Sequence, residues 1–295
     1  MIKVSVVIPV YNDNRIGRCL ESLAKQSLDK RFFEIIVIEN GTKGRYQEIC
    51  EKYGARYFNI QQKSMPLARN VGLSESQGEI VMFTDADCVA NPDWIENMIN
   101  AFKNKNYVGF GGEIERYFPK TKTEIYGKNV GLGQTELLYL QILDKPYVVF
   151  ANAAFRKYEI LKVGGFDEEL LSGSDVDLCW KLGLANYKIG ICKNAIVFHE
   201  NRKNAIEYFK IYFRYAVYQS LLFKNYRRVT KSEFMINTYA IDLLFKASIR
   251  FLKELFNLIK REKVNFYRPF LDLVESIAII IGHLYGSFKF KTYYV

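Results

Sequence analysis

Two carboxylates separated by one alanine, Asp85-Ala86-Asp87, follow directly on the apolar run Ile80-Val81-Met82-Phe83. Like charges held that close repel, which raises one of the two pKa values unless a cation intervenes. Oxygen donors suit Mg²⁺ or Mn²⁺, and such an ion beside a diphosphate acts as a Lewis acid on the leaving group. A solvated acidic loop has the same local spelling; what argues for chemistry is the buried run that delivers the pair. Two further polar stretches close apolar runs in the same way, Pro9-Val10-Tyr11-Asn12 and Glu39-Asn40-Gly41-Thr42. No GxGxxG and no GxxxxGK[ST] occurs, so neither a dinucleotide fingerprint nor a P-loop is present, and any bound phosphate must be neutralised otherwise.

The elements that must carry these groups are legible in the apolar pattern. Residues 3–8, 34–38, 55–59, 78–84 and 107–111 read as short strands, and 15–26, 43–53, 65–77 and 92–102 as helices. Strands alternating with helices predict βαβ units and a mainly parallel sheet, covered on both faces. In such sheets ligands bind beyond the carboxyl ends of the strands. The three polar exits therefore converge on one edge.

Composition narrows the rest. The chain has 295 residues, 49% hydrophobic and 25% charged, which excludes a disordered or collagen-like polymer. Five cysteines without CxxC spacing and two histidines support neither a disulfide framework nor a zinc cluster, and point to a reducing, cytoplasmic setting. Residues 1–199 are nearly neutral. Residues 200–295 carry 17 Lys and Arg against 8 Asp and Glu, a net of +9 within the whole chain's +10. That shift sets the expected boundary between a domain at 1–200 and a basic, aromatic region at 201–295. No secretory signal is expected from the opening residues. The uncharged run at 276–288 is shorter than the ~17–25 residues a spanning helix needs, so no transmembrane helix is expected.

The motifs in order resemble those of glycosyltransferase family 2. They are Ser5-Val6-Val7-Ile8-Pro9-Val10-Tyr11-Asn12, Ile36-Val37-Ile38-Glu39-Asn40-Gly41-Thr42, Pro66-Leu67-Ala68-Arg69-Asn70-Val71-Gly72, Phe83-Thr84-Asp85-Ala86-Asp87, Gly164-Gly165-Phe166-Asp167-Glu168 and Ser174-Asp175-Val176-Asp177-Leu178. The resemblance implies a GT-A (Rossmann-like) α/β fold with a C-terminal helical subdomain, a nucleotide-diphosphate sugar donor (UDP-sugar), Mn²⁺ or Mg²⁺, and inversion at the anomeric carbon. By position it places Pro9, Tyr11 and Glu39 around the uridine and Arg69 near the nucleotide or its phosphates. Asp85 is set towards the sugar or ribose, and Asn152 near the transferred sugar. It gives Asp87 and His199 to the metal and Asp175 to the acceptor as general base. Gly111-Gly112 would admit the donor to the backbone, and Trp180 either stacks on an acceptor sugar or belongs to the core. The sequence departs from the family pattern at Asn40, Ser174 and Lys181. His283 receives no role.

The acceptor implied is a hydroxyl of a glycan, a lipid-linked sugar or a protein, in surface polysaccharide or glycoconjugate synthesis. Two other functions fit an α/β sheet of this kind: a sugar-phosphate nucleotidyltransferase, and a non-catalytic nucleotide-sugar-binding scaffold. In the basic region, Ile241, Leu244, Phe245, Ile249, Leu252, Leu255 and Phe256 form an apolar face, with Lys246, Arg250, Lys253 and Lys260 largely elsewhere. Such a helix lies on the anionic inner face of a membrane, packs on the catalytic domain, or meets a second copy in a homo-oligomer; all three stay open. No nucleic-acid-binding motif accompanies the charge.

Overall fold

Every residue of the first strand, Val4–Val10, is buried, as a strand covered on both faces requires. The computed structural model describes residues 2–129 and 133–294. In chain order the elements are β1 (Val4–Val10), α1 (Ile16–Ala24), β2 (Phe33–Asn40), α2 (Gln47–Lys52), β3 (Arg56–Ile60), α3 (Met65–Glu75) and β4 (Ile80–Thr84). There follow β5 (Cys88–Ala90), α4 (Trp94–Ala101), β6 (Gly109–Arg116), α5 (Lys122–Asn129), β7 (Leu138–Leu140), β8 (Leu143–Tyr147) and β9 (Asn152–Arg156). The last are α6 (Lys157–Lys162), α7 (Ser174–Leu184), β10 (Ile189–His199), α8 (Ala205–Thr230), α9 (Thr238–Ile259) and α10 (Tyr267–Phe290).

The chain divides into two compact units. One comprises Met1–Tyr117, Gly133–Leu140 and Lys145–Glu200, the other Phe118–Leu132, Gln141–Asp144 and Asn201–Val295. The second unit thus takes in two segments that the composition shift leaves on the other side of residue 200. The reason is packing. Tyr126 of α5 donates to Asp272 Oδ1 at 2.5 Å and clusters with Tyr208 and Leu271, contacts that charge composition does not register.

The first unit is built on an eight-stranded sheet in the order β3-β2-β1-β4-β9-β6-β10-β5. The pairs β1–β2, β1–β4, β2–β3 and β6–β10 are parallel. β9 is antiparallel to both β4 and β6, so β6 runs the same way as β4, and β5 is antiparallel to β10. The carboxyl ends of β1, β2, β4, β6 and β10 consequently share one edge, and β9 begins there. Alternation along β1 divides the core: Val4, Val6 and Ile8 pack with Leu20 and Leu23 of α1, whereas Val7 joins Phe83, Phe150 and Phe155 on the other face. On that second face α3 comes very close to β1. A Cβ at Gly72 would lie 2.3 Å from Val7 Cγ1, so only glycine lets the helix approach this far. Ser64 caps α3, its hydroxyl accepting from the Leu67 N–H at 3.3 Å.

In the second unit Asn204 and Asn237 cap α8 and α9 through side-chain oxygens. Its interior is partly polar: Glu275 accepts from the hydroxyls of Tyr208 at 2.6 Å and Tyr239 at 2.8 Å, and Asp272 pairs with Arg250. The helix holding the 276–288 run is longer than that run. α10 has 24 residues and is long and apolar enough, by length and composition, to cross a membrane. Its inner face nevertheless holds the buried Asp272, Glu275 and His283, groups that hydrocarbon would not accept without partners.

Candidate active site

The groups singled out in the sequence gather at the shared carboxyl edge of the first unit, with unequal access to it. At the end of β4, Asp85 lies beside Arg69, which α3 delivers: Arg69 Nη2 is 3.7 Å from Asp85 Oδ1. Arg69 is only 5% exposed, its guanidinium set near the Phe150 and Phe166 rings, and its Nη1 donates to Ser174 Oγ at 3.2 Å. Arg69 Nε and Asp85 Oδ1 are both buried without a hydrogen-bond partner in the protein. Native interiors rarely leave such atoms orphaned, and do so mainly where a ligand or chemistry supplies the partner.

Asp175 stands in the first turn of α7 and is half-buried. Burial pushes its carboxyl up, against the pull of the Arg69 guanidinium and hydrogen bonds from backbone N–H groups, that of Val176 included. Burial likewise raises Asp85; Arg69 and His199 lower it, while Asp87 and Asp175 repel it. Three carboxylates therefore share one field with one buried arginine. Asp177, two residues on, is buried elsewhere and paired with Lys181 Nζ at 2.8 Å, as the helical spacing predicts.

Asp87 is divided between two partners. Its Oδ2 is 3.2 Å from Arg15 Nη2 and its Oδ1 is 3.5 Å from His199 Nε2 at the end of β10. The donor atoms of Asp87, Cys88 and His199 lie within 4.8 Å of one another. Burial, with Asp87 and Asp85 nearby, pushes the Cys88 thiol well above its ordinary range, so it stays protonated and is a poor ligand. A carboxylate oxygen and an imidazole nitrogen remain, a mixed pair that Mn²⁺ accepts more readily than Mg²⁺, which takes oxygen donors. Arg116 Nη1 is 3.2 Å from His199 Nδ1 and can only donate. The neutral ring then carries its proton on Nε2, and a cation entering there must displace it.

Arg15 escapes the sequence reading. It follows β1 in Asn12-Asp13-Asn14-Arg15. It binds Asp13 at 2.6 Å and Glu200 at 2.9 Å as well as Asp87, and these acids, Asp13 foremost, hold its guanidinium firmly protonated. An arginine in the loop leaving the first strand was the available signal. Its acidic partner at 200 was not, because 185 residues separate them.

Of the three residues expected around the uridine, Tyr11 alone is exposed. It is 42% accessible, with Lys63 Nζ 3.8 Å from the ring centroid. Pro9 is buried in β1, paired with Ile38 of β2. Glu39 is turned inward with no exposed surface. Its carboxylate accepts from the Thr42 hydroxyl, the Tyr57 hydroxyl at 2.5 Å and the N–H groups of Arg45 and Tyr46 at 3.2 and 3.3 Å. Burial raises this carboxyl, but the four donors outweigh it and hold it below the usual glutamate value. A carboxylate so fully engaged folds the 42–46 loop and has no free lone pair to offer a nucleotide.

Asn152 departs from expectation more sharply. It is completely buried: its Oδ1 accepts from Trp94 Nε1 at 2.8 Å, and its Nδ2 donates to the carbonyls of Glu113 and Ala195, both at 2.8 Å. The side chain stitches α4, β6 and β10 to β9. Gly112 is small for the same reason, since a Cβ there would lie 2.3 Å from Asn152 Nδ2 and from Ala195 O, and one at Gly111 would meet Gln134 and Val148. Gly112 thus makes room for the clasp, and Gly111 for Gln134 and Val148. Trp180 is wholly buried, its Nε1 donating to Lys145 O at 3.0 Å, so it belongs to the core and stacks on no sugar.

Known proteins resemble this chain in sequence and in fold. The family model described as glycosyl transferase family 2 matches residues 5–163. Glycosyltransferase AglE of Haloferax volcanii is 28% identical over 208 residues, 68% of this chain and 67% of that protein. The pre-mycofactocin glycosyltransferase of Mycobacterium tuberculosis is 30% identical over 210 residues, again 68% of this chain but 43% of its own length. The poly(ribitol-phosphate) beta-N-acetylglucosaminyltransferase TarS of Staphylococcus aureus is 25% identical over 216 residues, covering 36% of that protein. The matched stretch thus spans less than half of the latter two. The crystal structure of TarS 1–349 in complex with UDP superposes with a TM-score of 0.53 at 17% identity, covering 100% of this chain and 93% of that one.

Proposed function

The chain belongs to glycosyl transferase family 2 and has the GT-A fold; from that premise we propose that it moves a sugar, with inversion, from a UDP-sugar to a hydroxyl of a glycan or glycoconjugate. The observation carrying this reading is the pair of orphaned buried atoms, Arg69 Nε and Asp85 Oδ1, between α3 and the tip of β4. UDP fits as the carrier nucleotide because a solved relative of the same fold binds it, and Tyr11 offers a ring face for the base.

In this reading Asp175 takes the acceptor proton. The acceptor oxygen then bonds to the anomeric carbon, and the bond from that carbon to the phosphate oxygen breaks on the opposite face, its electron pair leaving with UDP. A carboxyl raised by burial is a stronger base near neutral pH than an exposed one. Arg69 pulls the Asp175 and Asp85 carboxyls down against the rise that burial causes and presents its unused N–H to the substrate. A divalent cation held by Asp87 and His199 would supply charge neutralisation for the departing diphosphate. Arg15 fixes the Asp87 carboxylate from its other oxygen. TarS, a poly(ribitol-phosphate) N-acetylglucosaminyltransferase by name, supports a polymeric acceptor of surface-glycan type.

The experiment is a panel of nucleotide sugars with Mn²⁺ or Mg²⁺, reading nucleotide release and thermal shift together. Release of UDP and retention of activity only with metal are expected, and Asp87→Asn should remove both the metal's thermal shift and the turnover. Pyrophosphate formation from UTP and a sugar phosphate would replace this reading by the nucleotidyltransferase, and binding of a nucleotide sugar without any turnover by the scaffold.

A further inference from the structure

Helix α9 is inside out. Its packing face holds Ala240, Ala247, Arg250 and Glu254, with Arg250 paired to Asp272. Its outer face carries Ile241, Phe245, Ile249, Leu252, Phe256 and Ile259, between 50% and 79% exposed. At about 100° per residue these six fall within an arc of about 80°, a continuous stripe opposite the packing face. Lys246, Lys253 and Lys260 recur every seven residues and form a column along one border of the stripe. Lys246 also pairs with the exposed Asp242 at 2.7 Å, and Lys260 lies 4.5 Å from the Phe256 ring centroid.

Helix α10 repeats the pattern. Phe270, Leu273, Ile277, Ile281, Leu284 and Phe288, 38–85% exposed, form a second stripe opposite the face that holds Glu275, Ile279, Gly282 and Gly286. α8 shows the contrast within the same unit, since its exposed positions include Glu207, Lys210, Arg214, Lys224 and Arg228. On each helix six large apolar side chains, about half accessible, present on the order of 500 Å², a patch size commonly found at interaction sites.

We propose that the outer stripes of α9 and α10 form a docking surface for an anionic lipid bilayer, on which both helices lie in the interfacial plane. Charge selects this occupant over a second copy of the chain. Residues 200–295 carry 17 basic and 8 acidic side chains, so like units repel, whereas an anionic leaflet attracts each lysine beside the stripe. The lysine column has the place of snorkelling side chains, stems along the apolar surface and ammonium groups at headgroup level. The buried and partnered Asp272, Glu275 and His283 turn the polar side of α10 to the other helices and leave its apolar stripe for the bilayer. The inference is independent of the transfer reaction and is read without any nucleotide.

The test is flotation of the full chain with vesicles of phosphatidylcholine alone or with about one third phosphatidylglycerol. Binding to the anionic vesicles, weakened by salt, is expected. K246E/K253E/K260E should lower that affinity by at least about a hundredfold, at roughly fivefold per lysine removed. F245S/L252S/F256S should abolish flotation with the anionic vesicles while circular dichroism stays unchanged. Hydrogen exchange on the unaltered protein gives a readout free of folding defects, with vesicle-induced protection expected in 241–259 and 270–288. Failure of the unaltered protein to float, or a dimer in sedimentation that F245S/L252S/F256S dissolves while exchange ignores vesicles, overturns the proposal.

Discussion

Replacing Asn152 by alanine separates a clasp from a substrate contact. The substitution deletes three hydrogen bonds of 2.8 Å and strands the Trp94 indole N–H and the carbonyls of Glu113 and Ala195 in a site with no solvent access. Each of the three stranded groups costs about 1–3 kcal/mol, so a loss of roughly 3–9 kcal/mol follows. That is a large share of the ~5–15 kcal/mol by which domains are stable. At about 2–4 °C per kcal/mol for a unit of this size, the melting temperature should fall by roughly 6–36 °C. Asn152→Asp retains the acceptor for Trp94 but turns an oxygen towards two carbonyls, and should destabilise at least as much at neutral pH. Urea titration followed by circular dichroism gives the stability, and calorimetry with UDP at low temperature gives the affinity of the folded protein. The clasp predicts reduced stability with nucleotide affinity within about threefold of the parent. Unchanged stability together with a tenfold loss of affinity or turnover would refute it and return Asn152 to the donor site.

Asp175→Asn should lower turnover by about 10²–10⁴ while leaving UDP affinity nearly unchanged; a loss below tenfold in nucleotide release removes the base role. Arg69→Met deletes the cation that holds Asp175 and Asp85 down against burial. The limb of the pH–rate profile where the base ionises should therefore move to higher pH, and an unmoved limb contradicts the pairing. Glu39 is held below the ordinary 4.5 in the folded state, so the unfolded chain takes up its proton first as pH drops. Its contribution is complete above 4.5 and is lost as pH falls through the lower folded value. Glu39→Gln should accordingly destabilise at pH 7 and flatten the acid limb of the melting curve; parallel curves for the two proteins exclude this.

Much of the scaffold is written in local pattern. The runs Val4-Ser5-Val6-Val7-Ile8 and Ile80-Val81-Met82-Phe83 became central strands, and Asp85 and Asp87 emerged where a carboxylate pair after a buried run should. The antiparallel β9 was not legible, because Asn152-Ala153-Ala154-Phe155-Arg156 is bland in isolation and becomes a strand only between β4 and β6. The site divides in the same way. Arg69 stays beside Asp85 with its buried Nε unpartnered in the protein. Glu39 and Asn152, equally prominent by position, are consumed by structure.

The sequence alone determined the alternation of strands and helices, the edge at which polar exits collect, and the excess of positive charge in the last third, because each depends on short-range periodicity or on counting. The tertiary structure decided which carboxylates remain available, since hydrogen-bond partners come from distant segments: Tyr57 and Thr42 for Glu39, Trp94 for Asn152, Glu200 for Arg15. It also decided the direction of the α9 stripe. Helical periodicity defines an apolar face, but whether that face meets a core or the outside depends on what packs behind it, and here Arg250 and Tyr239 reach inward to Asp272 and Glu275.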